Sequence, residues 1–156
     1  MPLMILRVQK EPFDSSAETA ALLAGRSDIG ALVSFTGLCR DEGGALSALE
    51  IEHYPRMAEE EIGRVVEAAC ARWPLAGVLV IHRCGLIRPG EPIVLVATAS
   101  EHRGEAFAAA EFLMDYLKTR APFWKKQHGG GQEGNAPGDW VAAKAKDDAA
   151  AEKWRG

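Results

Sequence analysis

Cysteine is scarce in this chain: Cys39, Cys70 and Cys84 are the only three, with no C-x-x-C spacing. An odd, scattered set excludes a disulfide framework and a zinc ribbon, and it fits a reducing compartment. No apolar run approaches the roughly 20 residues of a membrane span. The stretch Met1 to Val8 lacks the basic start, long apolar core and cleavage site of a signal peptide. A soluble, cytoplasmic protein that does not enter a membrane is therefore expected. Positive charge is not in excess either. The net charge is −4 over 156 residues, which argues against a general nucleic-acid binder. Apolar residues are not depleted, at 47% against 26% charged, so disorder is excluded. A domain of this size buries roughly 70% of the surface its unfolded chain exposes.

Within those bounds, strands and helices alternate along the sequence. Leu3 to Val8 reads as a first strand. Ser15 to Glu18 has capping-box spacing ahead of a helix that stops at Gly25. Ile29 to Leu38 is β-rich, and Asp41 to Gly44 supplies a turn into Leu46 to His53. There Ala48, Glu50 and Glu52 alternate with Leu49, Ile51 and His53. The two segments read as a β-hairpin with one solvated face. After Pro55 a long helix places Ile62, Val65, Val66, Ala69 and Trp73 on one stripe and ends at Pro74. Gly77 to His82 and Ile93 to Ser100 are buried apolar strands, joined through a turn at Arg88 to Gly90.

A third helix runs from about Gly104 to Thr119, with Phe107, Ala110, Met114 and Leu117 toward the core, and Pro122 blocks its continuation. Trp73, Met57 and Phe107 are all expected in the core. Gln127 to Asp139 holds five glycines and reads as a loop. Trp140-Val141 is expected to dock on the body, and residues 142–156 to form a separate tail, helical in part. The Asp41–Ala45 turn calls for antiparallel pairing, so the fold class is α+β rather than a pure doubly wound sheet.

Three segments carry chemistry. His102-Arg103-Gly104-Glu105 sits where a buried strand gives way to a helix, and helix N-termini favour anions. An arginine fork there suits phosphate or carboxylate; pairing of Arg103 with Glu101 or Glu105 is an equally good account. Lys118 to Lys126 packs four cations and no acid into nine residues of an acidic protein. A solvated basic face is the bland account. Pro122, Phe123 and Trp124, however, stiffen the stretch and hold lysines against an apolar wall, where an amine beside other cations becomes useful for chemistry. Phe35 to Arg40 enters a Gly-rich turn, so Arg40 reaches toward the same pocket. Cys39 reads better as a small buried residue than as a reactive thiol. His53, His82 and His128 show no metal spacing and read as core or surface residues.

Taken together, these segments resemble the catalytic (large) subunit of molybdopterin synthase. The blocks, in family order, are Gly30-Ala31 through Phe35-Thr36-Gly37 to Arg40; Glu52-His53-Tyr54 with Met57-Ala58; His82 to Leu86 with Pro89-Gly90-Glu91; His102-Arg103 with Glu105-Ala106-Phe107; and Asp115 to Lys118 through Pro122 to Lys126. They cover about residues 3–141, so a single family-like domain is expected over 1–141.

The resemblance implies an α/β-hammerhead-like domain with a mixed or antiparallel sheet and packed helices. It further implies a homodimer within a heterotetramer that includes two small ubiquitin-like sulfur-carrier subunits. Each carrier presents a C-terminal Gly-Gly thiocarboxylate, and sulfur passes to cyclic pyranopterin monophosphate to form the molybdopterin dithiolene. No metal or organic cofactor is implied. Lys118 takes the place of the essential catalytic lysine and Lys125 that of a second one. Leu38, Cys39, Arg40, His102, Arg103, Lys118, Lys125, Lys126 and Gln127 take substrate-binding places. Where Cys39 stands the family commonly has an aliphatic residue, which weighs further against a thiol mechanism. Two other readings remain: a non-catalytic module that captures a ubiquitin-like tail, and a small nucleotide- or RNA-binding protein stacking bases on Phe123 and Trp124.

Overall fold

The apolar runs Leu75–Arg83 (β4) and Pro92–Ser100 (β6) become antiparallel neighbours at the centre of a four-stranded sheet. Both strands are buried on both faces, which is why neither shows polar alternation. Leu3–Gln9 (β1) adds to β4 in parallel and Ala31–Leu38 (β2) adds to β6 antiparallel, giving the order β1-β4-β6-β2. Side chains alternate between two cores. Val78, Val80, Val94 and Val96 face the helices Met57–Arg72 (α2) and Arg103–Arg120 (α3). Leu79, Ile81, Leu95 and Ala97 face Leu22 of Ser15–Leu23 (α1). A second sheet has Gly85–Ile87 (β5), Ala48–His53 (β3), Phe123–His128 (β7) and Trp140–Val141 (β8) in the order β5-β3-β7-β8. This computed structural model describes residues 2–54, 56–129, 140–141 and 154.

The mixed α+β class is as expected, and the helix stripe of α2 buries Ile62, Val65, Val66 and Ala69. Several local expectations are corrected. The β2 and β3 strands form no hairpin, because β2 pairs with β6 while β3 lies between β5 and β7. Glu42, Gly43 and Gly44 all have positive φ, and this run of left-handed residues turns the chain out of the first sheet. Helix α1 is capped by Asp14, whose carboxylate accepts from the Ser16 and Ala17 amides at 3.0 and 3.2 Å. Glu18 pairs with Arg7 rather than closing a capping box on Ser15.

The link from β4 to β6 is not a bare turn but contains β5, which is three residues long and carries no readable period. Gln127 and His128 belong to β7, not to a loop. Phe107 is 61% and Met57 53% exposed, so neither is a core residue; Trp73 is half-buried. The buried stripe of α3 is Ala106, Ala109, Ala110, Phe112, Leu113, Tyr116 and Leu117, and Phe107 falls on the far side of it. Trp140-Val141 docks as expected, as an edge strand on β7. The loop expectation over 130–139 and the tail expectation over 142–156 lie outside the described residues, Trp154 excepted. Among the described residues no helix is long and apolar enough to cross a membrane.

Candidate functional site

The end of the molecule where β2 finishes and β6 begins gathers most of the expected residues. Leu38 is the last residue of β2 and is exposed; Cys39 behind it is buried; Arg40 reaches solvent, with only a loose 3.8 Å approach to Glu42. The peptide carrying Cys39 is fixed from both sides. Its N–H donates to the Glu91 carbonyl at 2.8 Å and its carbonyl accepts from Gly90 N–H at 2.7 Å.

That turn is held in place by Arg83, a buried arginine that is 4% exposed. Its guanidinium donates to the carbonyls of Lys10 and Pro92 and to the Glu91 carboxylate. Glu91 is drawn below the usual carboxylate range first by the Arg88 amide, then by Arg83. Burial pushes the Cys39 thiol up, with Glu91 and Glu42 adding to this and Lys125 opposing it, so Cys39 stays a protonated wall residue.

Lys118 enters from the last turn of α3 and is exposed. The helix stops at Arg120 because Ala121, preceding Pro122, is extended at ψ 128°. Two residues later β7 begins and carries Lys125, Lys126 and Gln127 antiparallel to β3, with Ile51 opposite Lys125 and Glu50 opposite Lys126. Strand alternation then separates these residues. Phe123, Lys125 and Gln127 share the face of Leu49, Ile51 and His53. Trp124, Lys126 and His128 share the face of Glu50 and Glu52, where His128 Nε2 lies 2.9 Å from Glu50 Oε1. Only Lys125 therefore stands against the apolar wall of Cys39, Leu49, Ile51 and Phe123. Lys126 stands on the opposite face, paired with Glu50, and an open hollow at the neighbouring strand end is lined by Glu52, His53, Tyr54 and Trp124.

Sequence reading missed what holds β7 in place. The Phe123 ring stacks on His82 with centroids 3.8 Å apart and planes 11° apart, and it tilts against His53 at 5.8 Å. His82 is buried within the apolar run of β4 and its Nδ1 lies 2.8 Å from the Arg83 carbonyl. Burial lowers its pKa to about 4, with the charges of Lys125 and His53 pulling the same way, so it is a neutral donor at pH 7. A lone histidine inside an apolar strand was the one available sign.

His102 and Arg103 do not join this group. They sit where β6 ends and α3 begins, beside the start of β2, since Ala31 pairs with Ser100 while Leu38 pairs with Pro92. Both are exposed; His102 Nε2 lies 3.2 Å from Glu101. Their backbone is set by Ser100 Oγ, which donates to the His102 carbonyl, and by the Gly30 N–H bond to the Ser100 carbonyl at 2.9 Å.

Comparison with known proteins identifies the family. The family described as MoaE protein matches residues 8–120. The chain is 62% identical over 150 residues to the molybdopterin synthase catalytic subunit of Mesorhizobium japonicum, covering 96% of this chain and 92% of that one. Among solved structures, the molybdopterin biosynthesis MoaE protein from Burkholderia ambifaria superposes with a TM-score of 0.82 at 45% identity, covering 97% of this chain and 98% of that one. A complex of subunits 1 and 2 of the molybdopterin-converting factor from Helicobacter pylori shares the fold, with a TM-score of 0.72 at 19% identity, covering 90% and 91% of the two chains. The chain belongs to the MoaE family, the catalytic subunits of molybdopterin synthase.

Proposed function

We propose that this sulfur-transferring subunit receives the thiocarboxylated Gly-Gly tail of a small ubiquitin-like carrier at the Lys118–Lys125 end. There it passes sulfur to cyclic pyranopterin monophosphate, forming the dithiolene of molybdopterin. The observation that carries this reading is the placement of Lys125. It is half-buried on the inward face of β7, against an apolar wall and close enough to Cys39 and His82 to act on both electrostatically. A thiocarboxylate and a phosphate repel each other in one pocket. Arg40, Lys118 and Lys125 at the same end offset that repulsion and stabilise the oxyanion formed when the carrier's acyl carbon is attacked. In this reading Lys118 performs the acid–base or covalent step and Lys125 supplies supporting charge. Lys126 and Gln127 border the entrance.

His102 and Arg103 complete the anion site only from a second copy of the chain. This supports a homodimer, and with two carriers a heterotetramer. In a two-fold dimer, an interface that sets the β2 end of one copy beside the β2 start of the other brings both groups together twice. The reading requires no metal, organic cofactor, nucleic acid or membrane, and three unpaired cysteines suit the cytoplasm. The working domain is read as residues 1–141, with Trp154 beyond it packing back against Trp73 and Phe112.

Reconstitution with a thiocarboxylated carrier and cyclic pyranopterin monophosphate, followed by mass detection of the dithiolene product, tests the reading. Carrier binding without product would make the chain a capture module instead.

A further inference from the structure

We propose that Trp154 is a positioning residue for Lys118, holding the Asp115 carboxylate away from it. The indole Nε1 of Trp154 donates to Asp115 Oδ2. The ring is seated edge-on against Trp73 at 5.9 Å and Phe112 at 5.6 Å, with the Arg72 guanidinium 5.7 Å from its centroid. Arg72 Nη1 also donates to the Trp154 carbonyl at 3.2 Å. An indole fixed on its faces, its edge and its own carbonyl has little freedom, so the Asp115 bond is directed rather than incidental.

Asp115 and Lys118 are three residues apart on α3, the spacing at which opposite charges on a helix meet and pair. They do not pair here: Lys118 has no ion pair among the described residues. The Trp154 N–H draws the carboxylate toward the α2 side, and the amine is left directed to the incoming anions. Other charges around Lys118 do not take over that role. Strands β2 and β6, packed on the opposite face of α3, carry no titratable side chain. From α2 the charge at this seam is Arg72, while Glu59 approaches His53, Glu61 pairs with Arg64, and Glu60 and Glu67 are exposed. On α3 itself Glu111 lies two turns away, and Arg120 covers the Tyr116 ring. At the β2 end Arg40, Lys125 and Lys126 are cations, and the acids there, Glu42 and Glu91, approach Arg40 and Arg83.

The catalytic consequence rests on the role given to Lys118 above, but the contact itself is tested without turnover. In the full chain, the Lys118 side-chain resonance, assigned with a Lys118→Arg variant, is titrated by NMR. Trp154→Phe keeps the ring and removes the N–H. It should raise the Lys118 midpoint by about 0.3 pH unit, roughly a twofold loss of neutral amine at a given pH. Adding Asp115→Asn should return the midpoint to that of the parent. In the sulfur-transfer assay, the alkaline limb of kcat should move the same way with KM for the carrier unchanged. Trp154→Ala, with its fold checked by circular dichroism, should behave as Trp154→Phe does. An unmoved midpoint in Trp154→Phe, or no return with Asp115→Asn, overturns the inference. A midpoint that responds as stated in a protein without sulfur transfer upholds the contact and removes the catalytic role of Lys118 instead.

Discussion

Arg40 and Arg103 lie at opposite ends of one antiparallel strand pair. Arg40 follows β2 where Leu38 faces Pro92, and Arg103 follows β6 where Ser100 faces Ala31. The nine residues of β6 separate them by roughly 25 Å at strand rise. No side-chain rotation closes that gap, so in the proposed function the two guanidinium groups reach one substrate only if they come from two copies of the chain.

Complementation follows directly. Arg103→Ala and Lys118→Ala should each be inactive alone. Co-refolded together, they should regain activity, because a mixed dimer has one site with Lys118 from one copy and Arg103 from the other. Product formation on mixing, measured by mass spectrometry, checks this. A mixture as inactive as its parts would put the two residues in separate functions.

The lysines should differ in kind. Lys118→Ala is expected to abolish conversion while carrier affinity, measured by calorimetry, changes little. Lys125→Ala is expected to weaken turnover less severely, by about the 10²-fold typical of losing one electrostatic stabiliser. Near-normal turnover in Lys118→Ala would remove that residue from the mechanism.

His82 makes stability depend on pH. Unfolded, its imidazole takes up a proton near 6.5; folded, only near 4. Between those values the unfolded chain holds more protons, so acid favours unfolding and stability is lost as pH falls from 6.5 toward 4. The full effect is about 3 kcal/mol, of which about 2 kcal/mol falls between pH 7 and pH 5. Urea denaturation of His82→Phe, which keeps a ring against Phe123, should show a shallower pH slope over that interval. An unchanged slope would locate the acid sensitivity elsewhere.

Gly30 lies against the turn that carries His102 and Arg103. A Cβ there would stand 2.2 Å from the Glu101 carbonyl oxygen, a backbone atom that cannot swing aside. Gly30→Ala should therefore cost about 1–3 kcal/mol, read as a lower urea midpoint at unchanged slope. It should also weaken substrate binding by displacing the start of α3.

Much of this protein is written locally in its sequence. The unbroken apolar runs of β4 and β6 dictate central strands, and the stripe Ile62, Val65, Val66, Ala69 dictates the inward face of α2. The proline after Ala121 ends α3 at Arg120, two residues past Lys118, and so delivers that lysine to a helix end. These are nearest-neighbour effects of side-chain period and backbone sterics, which is why they are legible without coordinates. Which strand pairs with which is not. β3 leaves β2 for β5 and β7, and the polar run Phe123–His128 becomes a strand because β3 has an open edge for it. That pairing, in turn, sorts Lys125 inward and Lys126 outward. The separation of Arg40 from Arg103 has the same origin, since only the β2–β6 register places them at opposite ends. Hydrogen-bond partners distant in the chain leave no periodic trace in either segment, so only the tertiary structure decides them.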